Sequence, residues 1–428
     1  MALIPAMPAG NGVDEEASRL PVPTASPAGA ARTVTQAGPA AARPALALCV
    51  GAICLYWLSL YLFVPVLAPR AHDLGAGVAG VGLVLATYGF VQFLLRIPLG
   101  VWSDRIGKRQ PFLVAAMVAC GVAAMGMGVA RTPLLLAVFR GVSGLGACGW
   151  VAITLLYAEF FPAERTGRAL GFVGFLATGS QLAGTFAGGL VAQFFGFAAP
   201  FLGAAGIAAA GLLVSLAVRP AAPRAPRPPV PLSARLAAGR DRQVLTASAL
   251  SIASHYLTFV TVYGFSPLLA ATRFGAGGVA LGVLSLAATV PSALASLGSG
   301  PLGERWTPRT VAVLGFVIAA VGTASLPFAP GLAWLDAASA AVGLGVGLLG
   351  PTLMTTAVQG FSPERRGAAM GFYQALYSIG MFGGPAVAGL IGARLGMGGL
   401  FLTTAALAAV AAAGSAAVLR RGAHPHTA

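Results

Sequence analysis

The stretch Gly100-Val-Trp-Ser-Asp104-Arg105-Ile-Gly107-Lys108-Arg109 determines how the rest of the chain is interpreted. It places one acid and three basic side chains between two long apolar runs, residues 77–99 and 110–130. A charged loop between two segments of membrane length is expected at the boundary between lipid and water. Its excess of lysine and arginine predicts that this boundary is the cytoplasmic one, because cytoplasmic loops carry more of these residues.

The composition is that of an integral membrane protein. Of the 428 residues, 57% are hydrophobic and only 9% are charged, whereas a soluble domain carries about 25% charged residues. The net charge of +15 does not indicate nucleic-acid binding, because the basic residues are scattered through short loops between apolar runs. The four cysteines lie within apolar runs and lack the spacing of a metal site. We therefore expect no metal, no cofactor and no nucleic-acid partner.

Twelve apolar runs are each long enough to cross a membrane once, since a helix needs about 20 residues for about 30 Å of hydrocarbon. They cover residues 45–68, 77–99, 110–130, 133–157, 168–194, 197–218, 244–270, 278–300, 310–329, 333–357, 367–392 and 398–419. Runs of this length form helices, because a helix satisfies its own backbone groups in lipid. The sequence therefore predicts an all-α membrane protein with twelve transmembrane helices.

The distribution of lysine and arginine predicts the orientation of these helices. With both chain ends in the cytoplasm, inner segments hold 20 of the 26 basic residues and outer loops hold 4, as the positive-inside rule requires. The expected location is the inner (plasma) membrane of the cell. The predicted organisation is a disordered cytoplasmic tail at 1–44, a six-helix bundle at 45–218, a basic proline-rich cytoplasmic linker at 219–243, a second six-helix bundle at 244–419 and a cytoplasmic tail at 420–428.

The two predicted bundles repeat each other at an offset of about 200 residues. The tripeptide Gly75-Ala76-Gly77 recurs at 275–277, and Asp104-Arg105 recurs as Glu304-Arg305. Further matched pairs are Gly100 and Gly300, Arg109 and Arg309, Gly184 and Gly384, and Gly189 and Gly389. Two pseudo-symmetric halves are the architecture of a secondary transporter whose substrate site lies between them.

Three motifs in the chain resemble those of a known family. The loop Gly100-x-x-x-Asp104-Arg105-x-Gly107-Lys108-Arg109 matches the signature between the second and third helices of the major facilitator superfamily. Arg140-x-x-Ser143-Gly144-x-Gly146-Ala147 resembles the family's fourth-helix motif, with Ser where Gln is usual. The pattern at 171–189 resembles the fifth-helix motif of the exporter branch, with Thr185 for Pro, and its copy at 371–389 keeps Pro385. The resemblance covers about 45–420 and implies the twelve-helix efflux-type branch of drug and sugar antiporters.

The resemblance implies a gating role for the charged loop. Asp104 would meet the N-terminal end of the eleventh helix, where the helix dipole favours an anion, and so lock the halves in the outward-open state. Lys108 and Arg109 can equally serve as topology signals. The second half carries a decayed copy with Thr307 and Pro308 in place of a Gly-Lys pair, so we expect a weaker lock there. The predicted gating residues are Gly100, Asp104, Arg105, Gly107, Lys108, Arg109, Glu304, Arg305 and Arg309.

Three ionisable side chains within predicted spans, Arg140, His255 and Arg96, are candidates for coupling transport to protons. An arginine at the bilayer centre costs about 2.5–3.5 kcal/mol on insertion scales, so a functional partner is the default expectation, and the alternative is snorkelling. The resemblance implies coupling for Arg140, whereas Arg96 fits the cytoplasmic gate. His255 can carry a proton or pack as a neutral residue. Since no acid lies at mid-span, proton coupling would need Asp104, Asp336 or His255.

Small residues in the fifth and eleventh helices predict close packing between helices. Thr185 can bend its helix by bonding back to the backbone. We assign this group a rocking role rather than contact with substrate. The predicted hinge residues are Gly184, Thr185, Gly188, Gly189, Gly384, Pro385 and Gly389.

Polar and aromatic residues within the spans are candidates to line a central substrate cavity. They are Tyr56, Trp57, Tyr61, Tyr88, Gln92, Gln181, Tyr256, Tyr263, Gln374 and Tyr377. Apart from Arg140 and His255 this set is uncharged, which suits a neutral, amphipathic or anionic solute.

The leading hypothesis is a secondary active transporter that works by alternating access as a monomer among membrane lipids. It would export a small amphipathic, neutral or anionic compound in exchange for protons. The alternatives are an importer or uniporter of a sugar-like or organic-anion metabolite and, in a different class, a non-transporting membrane sensor on the same fold. No catalytic residues are assigned and an enzyme is not expected, because the sequence has no nucleotide-binding loop, nucleophile elbow or metal site.

Overall fold

The computed structural model describes residues 39–162, 165–218, 240–361 and 363–419. All regular elements within these ranges are helices. The all-α membrane fold that the sequence predicts is confirmed.

The first half contains eight helical segments. They are α1 (Pro39–Tyr61), α2 (Val64–Asp73), α3 (Val78–Ile106), α4 (Gln110–Val129), α5 (Pro133–Cys148), α6 (Trp150–Ala158), α7 (Thr166–Phe195) and α8 (Ala199–Ala217). The second half contains α9 (Arg242–Leu257), which continues through a π-helical segment, Thr258–Phe265, into α10 (Ser266–Phe274). It goes on with α11 (Gly278–Arg305), α12 (Pro308–Ser325), a 3₁₀ turn (Leu326–Phe328), α13 (Leu332–Val358) and α14 (Pro363–Val418).

Eleven helical stretches of the described ranges are long and apolar enough to cross a membrane. The last, Ala369–Val418, has 50 residues, which at 1.5 Å per residue is about 75 Å and far exceeds a bilayer. It contains Gly396 with φ 72° and ψ 175°, where two helices join. This junction falls in the gap between the predicted runs 367–392 and 398–419. The count of twelve crossings and the cytoplasmic position of the chain ends stay predictions.

The internal repeat is visible in the backbone. Gly75 and Gly275 both have positive φ, and so do Gly196 and Gly396, each pair 200 residues apart. The first span of each half is also interrupted at matching positions. In the first half α1 ends at Tyr61 and α2 begins at Val64, and in the second half the π-helical segment occupies Thr258–Phe265. Such π-helical turns inside α-helices are frequent at functional sites.

Hydrogen bonds between helices mark the two ends of the bundle. At the end that carries Gly107, here called the basic end, Gln110 donates to the Ser215 carbonyl at 3.1 Å. Gln243 likewise donates to the Thr356 carbonyl at 2.6 Å. At the other end, here called the opposite end, Arg273 donates to the Pro327 carbonyl at 2.8 Å. These bonds tie helices together within each half.

Two glycine seams hold the halves together towards the opposite end. A Cβ atom on Gly82 of α3 would lie 2.9 Å from the Gly389 Cα of α14. A Cβ atom on Gly189 of α7 would lie 2.7 Å from the Gly282 Cα of α11. The two seams are related by the 200-residue repeat, since Gly82 corresponds to Gly282 and Gly189 to Gly389. The backbones of the two halves are therefore in direct contact at both seams, as small residues permit.

The predicted tails and linker fall mostly outside the described ranges, which omit 1–38, 219–239 and 420–428. One boundary changes, because α1 begins at Pro39 and so includes residues 39–44 of the predicted disordered tail. This segment reads Pro-Ala-Ala-Ala-Arg-Pro. Proline is favoured in the first turn of a helix and alanine is the best helix former, so the helix extends beyond the apolar run.

Candidate functional site

One face of α3 forms a buried polar stripe of Tyr88, Gln92 and Arg96. Residues four apart lie one above another on a helix, and these three extend about 12 Å along its axis. They are 7%, 2% and 9% exposed. The stripe brings an aromatic ring, an amide and a guanidinium group into the middle of the molecule.

Arg140 of α5 lies beside Tyr88, the residue of this stripe that is farthest from the charged loop. Its Cζ atom is 4.1 Å from the centre of the Tyr88 ring and 5.6 Å from that of Phe63. The side chain is 5% exposed, and its Nη1 donates to the Ser143 hydroxyl at 3.3 Å. Its Nε has no partner among the described residues. Arg140 is thus a buried cation held by aromatic rings, an arrangement worth about 2 kcal/mol when desolvated, and it does not snorkel.

Arg96, nearer the basic end, joins the two halves. Its Nη1 donates to the Tyr377 hydroxyl of α14 at 2.8 Å, and the Tyr377 ring stacks on His255 of α9 with centroids 4.1 Å apart. The Nδ1 atom of His255 lies 2.9 Å from the Ser251 carbonyl. A carbonyl oxygen can only accept, so Nδ1 carries the proton. Arg96, Tyr377 and His255 therefore form one unit, here called the cation–ring stack.

Aromatic rings fill the interface where the first span of each half is interrupted. Tyr61 and Tyr263 meet edge to face with centroids 5.8 Å apart. Phe259 lies 5.4 Å from Tyr263 and stacks on Tyr88 at 6.0 Å. These contacts connect α1 and the π-helical segment to the polar stripe of α3.

Trp57 extends the aromatic interface inside the first half. Its ring lies edge to face with Trp150 of α6, with centroids 4.8 Å apart. Its Nε1 is buried and has no partner among the described residues. Tyr56 is fully buried, and its hydroxyl donates to the Gly146 carbonyl at 3.0 Å, which ties α1 to α5.

The structure brings most of the predicted cavity residues to one interface. Tyr61, Tyr263, Tyr88, Trp57 and Tyr377 belong to the contacts above, and Gln92 is buried in the polar stripe of α3. Tyr256 instead packs on the backbone of Gly384, whose Cβ would lie 3.1 Å from the Tyr256 Cα. Gln181 and Gln374 are half-buried on α7 and α14.

Several residues that contact these groups or lie beside them were not predicted. They are Trp150, Phe259, Ser251 and Tyr373, the last two with hydroxyl oxygens 2.5 Å apart. An aromatic or hydroxyl side chain in an apolar run gives no sequence signal of which way it faces. The interrupted backbone at Thr258–Phe265 was also missed, although Pro267, which follows it and cannot donate a backbone hydrogen bond, is a signal of interruption.

The charged loop is built as a helix end. Gly107 terminates α3 with φ 65°, a left-handed conformation that favours glycine. Arg105 and Lys108 are exposed. Arg109 pairs with Glu159 at the end of α6, with Nε and Oε1 2.7 Å apart. The sequence did not point to this partner, which braces the loop against its own half.

The rest of the gating prediction stays a prediction. Asp104 lies in the last turn of α3 and Glu304 in that of α11, but both side chains fall outside the described part. Gly100 is within α3. In the second copy Arg305 ends α11 and is exposed, and Arg309 lies in the first turn of α12.

The predicted hinge residues lie at two kinds of helix contact. Gly184 and Gly188 pack α7 against the first span beside Tyr61 and Leu62, whereas Gly189 and Gly389 form the seams. The Thr185 hydroxyl donates to the carbonyls of Gln181 and Leu182, both at 3.0 Å. The sequence predicted this back-bonding. In the copy, Gly384 packs on α9, and the carbonyl of Pro385 faces Gly82.

The charge balance of the interior is positive. Among the described side chains, Arg109 and Glu159 form an ion pair near the basic end rather than in the interior. The described contacts of the buried Arg96 and Arg140 side chains are with hydroxyl groups and aromatic rings, and none is with a described carboxylate. The buried interface offers hydrogen-bond donors and cations to whatever enters it.

Comparison with known proteins decides the family. Residues 49–289 and 248–428 match the family model described as Major Facilitator Superfamily. The chain belongs to the major facilitator superfamily. It is a multi-pass protein of the inner membrane and a transporter of small molecules rather than an enzyme.

Two relatives and one solved structure illustrate the match. The chain is 27% identical over 364 residues to the class C tetracycline resistance protein of Escherichia coli, covering 80% of this chain and 88% of the relative. It is 28% identical over 348 residues to a probable nitrate/nitrite transporter of Mycobacterium tuberculosis, covering 79% and 81%. The inward-facing, unoccupied structure of a bacterial homologue of the human lysosomal transporter Spinster superposes with a TM-score of 0.75 at 16% identity, covering 88% and 96%. This last likeness shows the fold alone.

Proposed function

We propose that this member of the superfamily exports a small amphipathic compound, neutral or anionic, in exchange for protons, by alternating access. The observation that carries the proposal is the meeting of two interrupted spans at the interface of the halves. Tyr61 at the break of the first span touches Tyr263 in the π-helical segment of the second half. Discontinuous helices at a repeat interface are the usual place for a transporter's substrate site.

The site would bind an amphipathic molecule through rings and buried donors. The rings of Tyr61, Tyr263 and Phe259 provide apolar area in edge-to-face and stacked arrangements. The unpartnered Nε1 of Trp57 and Nε2 of Gln92 provide hydrogen bonds. Pockets that combine mostly apolar walls with a few placed polar groups are typical of sites for small molecules.

The cation–ring stack offers a route for proton coupling. A proton on Nε2 of His255 would place a second cation on the Tyr377 ring, whose hydroxyl already binds Arg96. The Tyr377 ring stacks on His255 and itself contacts Arg96 and Tyr373, so no described acid in this cluster would offset that charge. Repulsion would weaken the bond between α3 and α14 and so favour separation of the halves near the basic end.

Alternating access needs contacts that close one end at a time. The two glycine seams close the halves towards the opposite end in this conformation. The proposed partner of this closure is the charged loop, with Asp104 meeting α14 when the basic end closes. Arg109 and Glu159 would then hold the loop in position, because their ion pair lies within one half.

The direction of transport is part of the proposal. The similarity to a tetracycline resistance protein supports export. The similarity to a probable nitrate/nitrite transporter supports the second candidate, an importer or uniporter of an organic-anion metabolite. Arg96 and Arg140, which are buried without a described carboxylate partner, are compatible with either direction of transport.

Reconstituted liposomes with a pH-sensitive dye inside would test the proposal. Tetracycline and a panel of neutral and anionic amphipathic compounds would be added on the outside, and we expect at least one to drive proton flux. The His255→Asn variant should still transport substrate but without moving protons. The control Arg131→Gln changes an exposed loop residue and should transport like the unaltered protein. Substrate movement without proton flux would favour the uniporter, and neither flux nor counterflow with any solute would refute transport.

A further inference from the structure

The polar stripe and Arg140 hold hydrogen-bond donors that lack acceptors. The Nε atoms of Arg140 and Arg96 and the Nε2 atom of Gln92 are buried, and none has a partner among the described residues. Their side chains are all more than nine-tenths buried. A buried donor without an acceptor is costly and is rarely tolerated in a native protein. Three in one region point to a ligand that supplies acceptors.

The chemistry of these groups selects an anion. Guanidinium groups donate only, and a carboxylate accepts only. Bonds between such groups are stronger than those between neutral partners. A single arginine beside one amide matches the single charge of a carboxylate. A cationic ligand would be repelled, because the described interior holds no acid near Arg140.

Arg140 and Gln92 are both placed near Tyr88. The Arg140 guanidinium lies 4.1 Å above the centre of Tyr88, and Gln92 is one helical turn from Tyr88 on the same face. Arg96, one further turn away, is already engaged with Tyr377 at 2.8 Å. The Arg140 side chain makes one described hydrogen bond, to Ser143. At 3.3 Å it is longer than the bond from Arg96 to Tyr377. Arg140 is therefore the more available of the two cations.

The surroundings of this pair are aromatic. The Tyr88 ring stacks on Phe259, which in turn contacts Tyr263, and Tyr263 meets Tyr61. A ligand with its acid group at Arg140 would thus have its body among aromatic rings, which favour stacked and edge-to-face contacts.

We propose that Arg140 and Gln92 form a subsite for the carboxylate of an aromatic monocarboxylic acid, with the ring of the acid among Tyr61, Phe259 and Tyr263. The inference rests on the proposed transport function and names its class of substrate. Arg140 is a direct ligand of the carboxylate, and Gln92 donates the second hydrogen bond.

Calorimetric titration of the full chain in lipid nanodiscs would test this assignment. The probes are 1-naphthoate and its neutral amide, 1-naphthamide, which share the ring and differ in charge. Naphthoate should bind at least tenfold more tightly than naphthamide. Arg140→Gln should abolish that preference, and Gln92→Leu should weaken naphthoate several-fold while changing naphthamide less. Arg131→Gln is the matched control, which removes an exposed cation and should keep the preference.

Equal affinity for the two probes, no binding of either, or a preference that survives Arg140→Gln would overturn the assignment. If Arg140→Gln does not elute as a folded species, Arg140→Lys decides, because it keeps the charge and removes Nε. Unchanged naphthoate affinity in both Arg140→Lys and Gln92→Leu would then reject the subsite. Proton-driven transport of neutral compounds without any preference for the acid would reject this inference and leave the proposed function standing.

Discussion

The glycine seams make a quantitative prediction about conformation. In Gly189→Ala the new Cβ would lie 2.7 Å from the Gly282 Cα, about 0.7 Å short of the 3.4 Å at which ordinary contact begins. Because backbone rather than a flexible side chain stands in the way, α7 and α11 must move apart. Overpacking of this kind costs about 1–3 kcal/mol. The cost falls only on conformers with the seam closed, so their population should drop about 5- to 150-fold relative to the others.

Spin labels in the two halves would measure this shift. Arg131 in the first half and Arg394 in the second half are both exposed and lie near the opposite end of the bundle. Both would be changed to cysteine for labelling. Cys54 would be changed to Ser, because the other three native cysteines are buried. Pulsed electron paramagnetic resonance should then show longer distances between the two labels in Gly189→Ala than in the labelled protein that keeps Gly189.

A matched control separates the seam from the general effect of replacing glycine. Gly179 lies on the same helix, and a Cβ there would have nothing within 4 Å. Gly179→Ala should therefore gain the same helix propensity and leave the distances unchanged. Gly282→Ala should act more weakly than Gly189→Ala, since its Cβ would lie 3.3 Å from the Gly189 Cα. Identical distance distributions in all these variants would show that the seam does not limit the conformation.

Two further predictions concern polar contacts. Glu159→Gln removes the partner of Arg109 at 2.7 Å and should lower stability by about 1 kcal/mol, the upper value for a partly exposed pair. Thermal melting in a double-mutant cycle with Arg109→Gln should show coupling, and simple additivity would argue against the pair. Tyr377→Phe removes the acceptor of Arg96 and a bond to a charged group worth about 1.5–3 kcal/mol. It should lengthen the distance between labels on the exposed Arg105 and Arg366, at the basic ends of α3 and α14, unlike Tyr373→Phe, whose hydroxyl bonds to Ser251 of its own half.

Much of the fold could be predicted because a membrane imposes strong constraints. Each apolar run had to be a helix of a certain length, and the repeat set the division into halves. The turn at Gly396 lies where the runs 367–392 and 398–419 leave a gap. The break between Tyr61 and Val64 was not predicted, although Pro65 in the first turn of α2 is a sequence signal for it. The exact backbone hydrogen bonds that a helix loses depend on how it packs, which composition does not show.

The site was only partly predictable, for a related reason. Arg96 and Arg140 stood out because an ionisable residue in a span is rare and costly. Their partners did not stand out, because Tyr377 is 281 residues from Arg96 and is one of several aromatic residues in the spans. Glu159 was similarly hidden near the end of a run. Sequence can identify an unusual charge, whereas only the packed structure shows which group faces it.

The repeat separates scaffold from chemistry. At an offset of 200 residues the seam glycines have glycine counterparts, but the positions that match Tyr88, Gln92, Arg96 and Arg140 are Ala288, Ser292, Ser296 and Ala340. The halves thus share the contacts that let them rock and differ in the groups that bind. The first half supplies the cations and the amide, and the second half supplies the rings of Phe259, Tyr263 and Tyr377. A ligand held by both would contact a polar wall on one side and an aromatic wall on the other. Any movement of one half against the other would then change both sets of contacts at once, which is how binding can drive the exchange of conformations.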